Sequence, residues 1–155
     1  MAKAKAETGG RAQLIDDLNG DLSREYQAIV AYVVYSQAIK GAEYMNIAAE
    51  LEKHAAQELA HALTIAKHVD YLGGAPAVTM QPVKSPRDAK GMLRADLDNE
   101  NTTVRHYRAR VRQCEALGEY GIAEDIREIL RQEQEHQLDL ATALGIDVPD
   151  VGGHA

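Results

Sequence analysis

The chain has one cysteine, Cys114, and neither tryptophan nor phenylalanine in 155 residues. A lone thiol excludes an internal disulfide framework, and the lack of any CxxC pair excludes a rubredoxin-like or zinc-ribbon attachment. Metal chemistry, if there is any, falls to oxygen and nitrogen donors. Without Phe and Trp the core has to be assembled from Leu, Ile, Val, Ala, Met and Tyr, a mix that suits helices better than sheets. The longest run of apolar residues and Tyr, AIVAYVVY at 28–35, is too short to span a bilayer, and MAKAKAETGG has no apolar leader core. A cytoplasmic protein with no membrane partner is expected. Positive charge is in the minority, 17 Lys and Arg against 24 Asp and Glu for a formal net charge of −7. That balance argues against a nucleic-acid partner. Lys3, Lys5 and Arg11 are the only basic cluster near the start, and residues 1–10 are expected to be a flexible arm.

What the chain does have is a 3.6-residue apolar period, broken in few places. The period predicts four helices in one domain over residues 11–145, followed by a flexible tail at 146–155. The first runs from Arg11 to Ile39, with Leu14, Leu18, Leu22, Ile29, Tyr32 and Val33 on one side, and Gly41 closes it. The second runs from Ala42 to Leu72 and stops at Gly73-Gly74. The third starts near Pro86 behind a Ser85 cap and continues to Leu117. The fourth spans Gly121 to Leu144. The first and last connections are turns of a few residues, so each joins antiparallel neighbours. The middle connection, GGAPAVTMQPVKSP, reaches roughly 46 Å when extended, against roughly 45 Å for a 30-residue helix. It is therefore long enough to run the length of the bundle. The expected fold class is all-α: two antiparallel helical hairpins joined by a long crossover.

One glutamate per helix breaks the apolar line. Glu25 is in register with Leu18, Leu22 and Ile29; Glu58 with Leu51, Ile65 and Val69; Glu100 with Leu93, Leu97 and Val104; Glu133 with Ile126, Ile129 and Leu140. Each lies near the middle of its helix, so all four reach about the same height. His61 and His136 follow Glu58 and Glu133 by three residues, about 60° around the helix and about 4.5 Å along it. Four carboxylates in a low-dielectric interior repel one another, and two divalent cations would cancel their charge. One Glu-x-x-His is a weak signal. Two in core register, with a lone glutamate at the same level on each remaining helix, predict a two-metal site in which each cation takes one His, one terminal Glu and shared carboxylates. Carboxylate and imidazole donors suit Fe, Mn or Zn.

LNGDLSREYQAIVAY around Glu25, QELAHA around Glu58 and His61, MLRADLDNE ending at Glu100, and EILRQEQEH with Glu133 and His136 resemble the ferritin-like di-iron carboxylate proteins, most closely the bacterioferritins. The likeness runs from about residue 12 to residue 144. It implies a ferritin-like four-helix bundle, two Fe ions per subunit and a ferroxidase-type oxidoreductase. In that reading Fe²⁺ is oxidised by O₂ or H₂O₂, and Fe³⁺ is stored inside a homo-oligomeric shell. Two features depart from the bacterioferritins, and Thr103 counts against a rubrerythrin-type peroxidase. Leu59 stands where bacterioferritins carry a haem-ligating Met, so no haem is expected. GIDVPDVGGHA is too rich in Gly and Pro for the fifth helix that lines the 24-subunit cage, so a 12-mer or an open oligomer stands beside a 24-mer. Thr103 replaces a rubrerythrin carboxylate.

Around this set, Tyr32 has two readings: a core tyrosine whose hydroxyl finds a partner, or a catalytic donor of a proton or electron to the oxidant. The resemblance leans toward the second. Tyr107 is expected to pack. Asp96 is the preferred partner to orient a metal-bound imidazole. His54 is either an extra iron site or a polar residue at the inner rim. His68 and His106 are expected at the surface or boundary, and His154 in the tail. The competing function is a stand-alone di-iron or di-manganese oxidoreductase or peroxidase using the same six ligands; a third is a bundle that holds no metal.

Overall fold

The computed structural model describes residues 2–152, with side chains from residue 10 onward. His154 and the side chains of Lys3 and Lys5 lie outside the described residues. In chain order the helices are α1 (Ala2–Ala38), α2 (Met45–Tyr71), α3 (Ala89–Ala116) and α4 (Tyr120–Leu144), with a 3₁₀ turn at Ala42–Tyr44 before α2. Among the described residues there is no strand, no helix follows Leu144, and no helix is long and apolar enough to cross a membrane.

Local chemistry accounts for where the boundaries differ from the expected ones. α1 begins at Ala2 rather than Arg11, because the Ala, Lys and Glu ahead of Gly9-Gly10 are strong helix formers. Gly10 does not break the rod; it lets α1 approach the end of α3, where an added Cβ would lie 2.7 Å from Leu117 Cδ2. α3 begins at Ala89 rather than Pro86, and Asp88 takes the capping role expected of Ser85. The Asp88 backbone is extended, and its carboxylate accepts from the Gly91 N–H at 3.2 Å, which satisfies one of the free amides of the first turn. α2 ends as expected at Gly73, whose φ of 90° is open to glycine. There Gly74 N–H bonds Val69 O and Gly73 N–H bonds Asp70 O, both at 2.9 Å, the paired closure of a helix C-terminus. Val33 is 51% exposed, contrary to expectation. The buried line steps by three, four or seven through Leu18, Leu22, Glu25, Tyr32, Tyr35 and Ile39, and Val33 lies 100° from Tyr32 on it.

The crossover runs along α1, in the same direction. Asn19 Nδ2 donates to Ala75 O at 3.0 Å and Asn19 Oδ1 accepts from Ala77 N–H at 2.8 Å. Gln81 N–H reaches Ser23 O at 3.2 Å, Gln27 Nε2 reaches Pro82 O at 2.6 Å, and the Tyr35 hydroxyl donates to Lys84 O. Advancing from residue 19 to 35 on α1 while the crossover advances from 75 to 84 sets the order up, down, down, up. α1 therefore packs on α2 and α3, and α4 packs on α3 and α2.

Apolar packing divides into two clusters. Leu14, Leu18, Leu22, Ile65, Val69, Ile122 and Ile126 fill one end, and Tyr35, Ile47, Leu51, Leu93, Leu97 and Leu140 fill the other. Between them lies a buried polar layer. Apart from that layer, at the level of the first cluster, Arg110 on α3 donates to Asp21 on α1 from Nε at 2.6 Å and Nη2 at 3.2 Å, with Asp21 2% exposed. Removing one partner of a buried, bidentate pair strands the other charge. Arg110→Ala is expected to destabilise the bundle by about 3–5 kcal/mol in urea titration, and Arg110→Ala with Asp21→Ala by clearly less.

Candidate metal centre

The polar layer is the set of six residues read from the sequence, all buried: Glu25 from α1, Glu58 and His61 from α2, Glu100 from α3, Glu133 and His136 from α4. The helices bring their side chains into two overlapping groups, {Glu25, Glu58, His61, Glu133} and {Glu58, Glu100, Glu133, His136}, each with donor atoms within 4.8 Å of one another. His61 Nδ1 lies 2.8 Å from Glu58 Oε2, 3.2 Å from Glu133 Oε1 and 3.7 Å from Glu25 Oε2. His136 Nδ1 lies 3.1 Å from Glu58 Oε1, 3.1 Å from Glu133 Oε2 and 3.7 Å from Glu100 Oε1. Glu58 and Glu133 thus present one oxygen to each imidazole, while Glu25 and Glu100 each face only one. That is the geometry of two shared and two terminal carboxylates.

Protonation of the cluster follows from crowding. Burial, then the charges of Glu58 and Glu133, raise Glu25 well above its ordinary 4.5, and burial with Glu133 and Glu58 does the same to Glu100. Burial also pushes Glu58 and Glu133 upward, but His136 and His61 outweigh it and hold both below 4.5. Burial favours neutral imidazoles, yet the surrounding carboxylates raise His61 and His136 well above 6.5. Free of metal, crowding therefore drives the two imidazoles, Glu58 and Glu133 toward their charged forms and Glu25 and Glu100 toward their neutral ones. One oxygen on each glutamate, Glu25 Oε2, Glu58 Oε1, Glu100 Oε2 and Glu133 Oε1, has no hydrogen bond. These are donors of the type that hard and borderline divalent cations take, so the residues fit a pair of them.

A symmetric outer layer holds the donors in place. The Tyr32 hydroxyl donates to Glu100 Oε1 at 2.5 Å, and the Tyr107 hydroxyl donates to Glu25 Oε1. Tyr107 does more than pack. Burial and the adjacent carboxylates raise both phenols well above 10, so both keep their protons at neutral pH. Gln132 Oε1 lies 2.7 Å from His61 Nε2, and Gln57 Oε1 lies 2.6 Å from His136 Nε2. An amide oxygen can only accept, so each Nε2 carries a proton and each Nδ1 faces the carboxylates. This orienting role belongs to the glutamines rather than to Asp96, which is buried with Oδ2 unpartnered. The signal was in the chain: both halves read Glu-x₆-Tyr, then Gln-Glu-x-x-His. Partners of this kind typically contribute 10–100-fold in metal affinity, so Gln132→Leu is expected to weaken Co²⁺ binding at the His61 side by roughly that factor, measured by the visible spectrum of bound cobalt.

The other candidates are dispersed. His68 is buried rather than at the surface, its Nε2 2.8 Å from Asp125 Oδ2, whereas His106 is exposed. Together with His54 and Asp139, at 3.1 Å, these residues make a ladder along the α2/α4 seam: His54, His61 and His68 oppose Asp139, Gln132 and Asp125 at seven-residue steps. Thr103 accepts from Arg24 Nη2 at 3.0 Å. Leu59 is 53% exposed on α2. Cys114 is buried, and burial pushes its thiol up to about 11.

The family model of the ferritin-like domain matches residues 15–147. The chain belongs to the ferritin-like family. Bacterioferritin of Brucella melitensis is 26% identical over 143 residues, covering 88% of this ferritin-like chain and 89% of its relative. Bacterioferritin of Desulfovibrio desulfuricans is 26% identical over 143 residues, covering 92% and 79%. Among solved structures, a ferritin-like, diiron-carboxylate protein of Bacillus anthracis superposes with a TM-score of 0.84 at 27% identity, covering 87% of this chain and 97% of that one. A bacterioferritin-related protein of Bacteroides fragilis, described as a dodecameric thioferritin, superposes with a TM-score of 0.82 at 26% identity, covering 93% and 92%.

Proposed function

We propose that this ferritin-like chain oxidises Fe²⁺ at an intra-subunit centre formed by Glu25, Glu58, His61, Glu100, Glu133 and His136, and stores the product in a homo-oligomeric shell in the cytoplasm. The observation that supports this reading is the sharing of Glu58 and Glu133 between two donor sets, an arrangement that would hold two cations side by side and let them lose one electron each to a single acceptor. Two Fe²⁺ supply two electrons; O₂ taking these and two protons leaves as H₂O₂, and H₂O₂ taking them leaves as two waters. The four carboxylates would neutralise the charge of two bound Fe²⁺.

The protein's own groups prepare this step. Gln57 and Gln132 keep the imidazole Nδ1 atoms turned inward. Tyr107 and Tyr32 fix the terminal carboxylates Glu25 and Glu100, and Tyr32 is assigned the further catalytic role of proton or electron donor to the oxidant. With Leu59 offering no iron-binding atom, no haem is part of the proposal. Assembly into a shell is supported by the dodecameric relative. Val33 and Val34 on α1 and Leu59 and Leu63 on α2 are exposed apolar side chains that supply surface for contacts between copies.

Aerobic loading with Fe²⁺ followed by size exclusion with light scattering tests the proposal. The expected result is a shell of twelve or more chains carrying many irons per chain. A small oligomer that stops at two irons per chain would replace storage with a stand-alone di-iron oxidoreductase.

A further inference from the structure

Beyond the central layer, the α2/α4 seam holds a second group of metal-ligating side chains. Glu50 and His54 on α2 and Asp139 on α4 have donor atoms within 4.8 Å of one another. We propose that these three residues form a separate, mononuclear site for a divalent cation of the Fe²⁺, Mn²⁺, Co²⁺ or Zn²⁺ class, one turn of α2 away from the dinuclear centre.

Four observations converge on it. His54 Nε2 lies 3.1 Å from Asp139 Oδ2; two donors about 2.1 Å from a shared cation and at right angles to each other would be about 3 Å apart. The His54 ring is 2% exposed and is held between Asp139 and the ring of His136, so its Nε2 is presented to Asp139 in a fixed orientation. Two carboxylates match the charge of one divalent ion, and one imidazole with two carboxylates is a borderline donor set suited to these metals. Access is provided by a cleft of about 400 Å³ lined by Glu43, Tyr44, Ile47, Glu50, Asp139 and Ala143. Three protein donors beside an open cleft leave the remaining coordination positions to water, as in sites that exchange their ion.

The same seam contains an internal comparison. His68 and Asp125 form an equivalent His–Asp pair at 2.8 Å, but among the described residues no third donor joins them. The proposal therefore requires a cation at His54 and none at His68. Lys53 Nζ competes for Glu50 Oε1 at 2.7 Å; both side chains are exposed, so the pair is weak and a cation displaces it. The His54 ring also stacks on that of His136, with centroids 4.0 Å apart and planes at 25°, so the two sites touch through an imidazole pair.

The test is anomalous scattering at the cobalt edge from crystals of the assembled protein equilibrated with CoCl₂, together with equilibrium dialysis against Co²⁺ in solution. Density is expected within coordination distance of His54, Glu50 and Asp139. The double variant Glu50→Gln, Asp139→Asn, which alters only partly exposed carboxylates, is expected to lose that density and to bind one cobalt per chain fewer. Lys53→Ala is expected to tighten the same site. No density at saturating cobalt, an unchanged stoichiometry in the double variant, or equal density at His68 and Asp125 would overturn the proposal. Density at His54 with none between the four central glutamates would uphold this site while removing the dinuclear one, so the two readings fail separately.

Discussion

Glu58→Ala is expected to empty both halves of the centre, whereas Glu25→Ala is expected to empty only the half beside His61. The reason is the sharing of ligands. Glu58 offers Oε2 to the His61 side at 2.8 Å and Oε1 to the His136 side at 3.1 Å, so its removal takes a donor from both cations at once. Glu25 approaches only His61, at 3.7 Å. Glu133→Ala should behave as Glu58→Ala does, and Glu100→Ala as the mirror of Glu25→Ala. Fe²⁺ oxidation in the Glu58 and Glu133 variants is expected to fall by well over the roughly 10–100-fold that follows loss of an outer partner. Cobalt stoichiometry and stopped-flow oxidation measure the two effects, with circular dichroism checking that the helices persist. If Glu58→Ala binds two metals as tightly as the parent, the two-cation reading of the layer is wrong.

The second large effect is a proton count. Metal-free, the layer favours protons on Glu25 and Glu100, raised well above 4.5, and on both ring nitrogens of His61 and His136, raised well above 6.5. Two cations take the four carboxylates and the two Nδ1 atoms, so loading near neutral pH is expected to release about four protons per chain. With those protons in place, net charge in the layer is zero before and after loading. Calorimetry in buffers of different ionisation enthalpy measures this release. A release near zero would mean that the cluster does not hold its protons in this way.

The same protonation fixes how stability of the metal-free protein depends on pH. Below 4.5 the unfolded chain protonates Glu58 and Glu133 while the folded state, with both depressed, resists, so their contribution is lost as pH falls through the folded values. Above 4.5 the unfolded chain gives up the protons of Glu25 and Glu100, which the folded state retains. Above 6.5 it also gives up those of the two histidines. A state that binds more protons is destabilised as pH rises. The layer's contribution therefore peaks near pH 4.5, declines above it and declines more steeply above 6.5. Saturating metal, which replaces those protons, is expected to flatten this upper limb in thermal unfolding curves.

Some of the protein could be read directly along the chain. A glutamate that interrupts a line of Leu and Ile at mid-helix is visible because helical periodicity is local: it requires only the 3.6-residue repeat and a count of positions. Doing this four times, with His61 and His136 one turn beyond two of them, gave the six central residues together. Other features required pairings between helices. Tyr32 and Tyr107 sit at matching places in the two halves, but only the antiparallel α1/α3 packing puts each hydroxyl on the other helix's glutamate. Gln57 and Gln132 look like surface amides in sequence, and they become orienting groups because α2 and α4 run antiparallel with Gln57 opposite His136 and Gln132 opposite His61. The expectation for Asp96 followed the wrong partner for this reason. Val33 and the start of α3 show the limits of the local reading as well: one residue of phase, or a competing cap such as Asp88, changes which side chain faces inward.

By itself the sequence determined four rods, a long middle connection and a buried acid on each rod, because hydrophobic spacing and chain reach depend on neighbours along the backbone. Only the tertiary structure decided which oxygen faces which imidazole, which nitrogen of each ring keeps its proton, and that Glu58 and Glu133 are shared while Glu25 and Glu100 are not. Those relations depend on distances of a few ångströms between residues up to 79 positions apart, which are set by how four helices pack together.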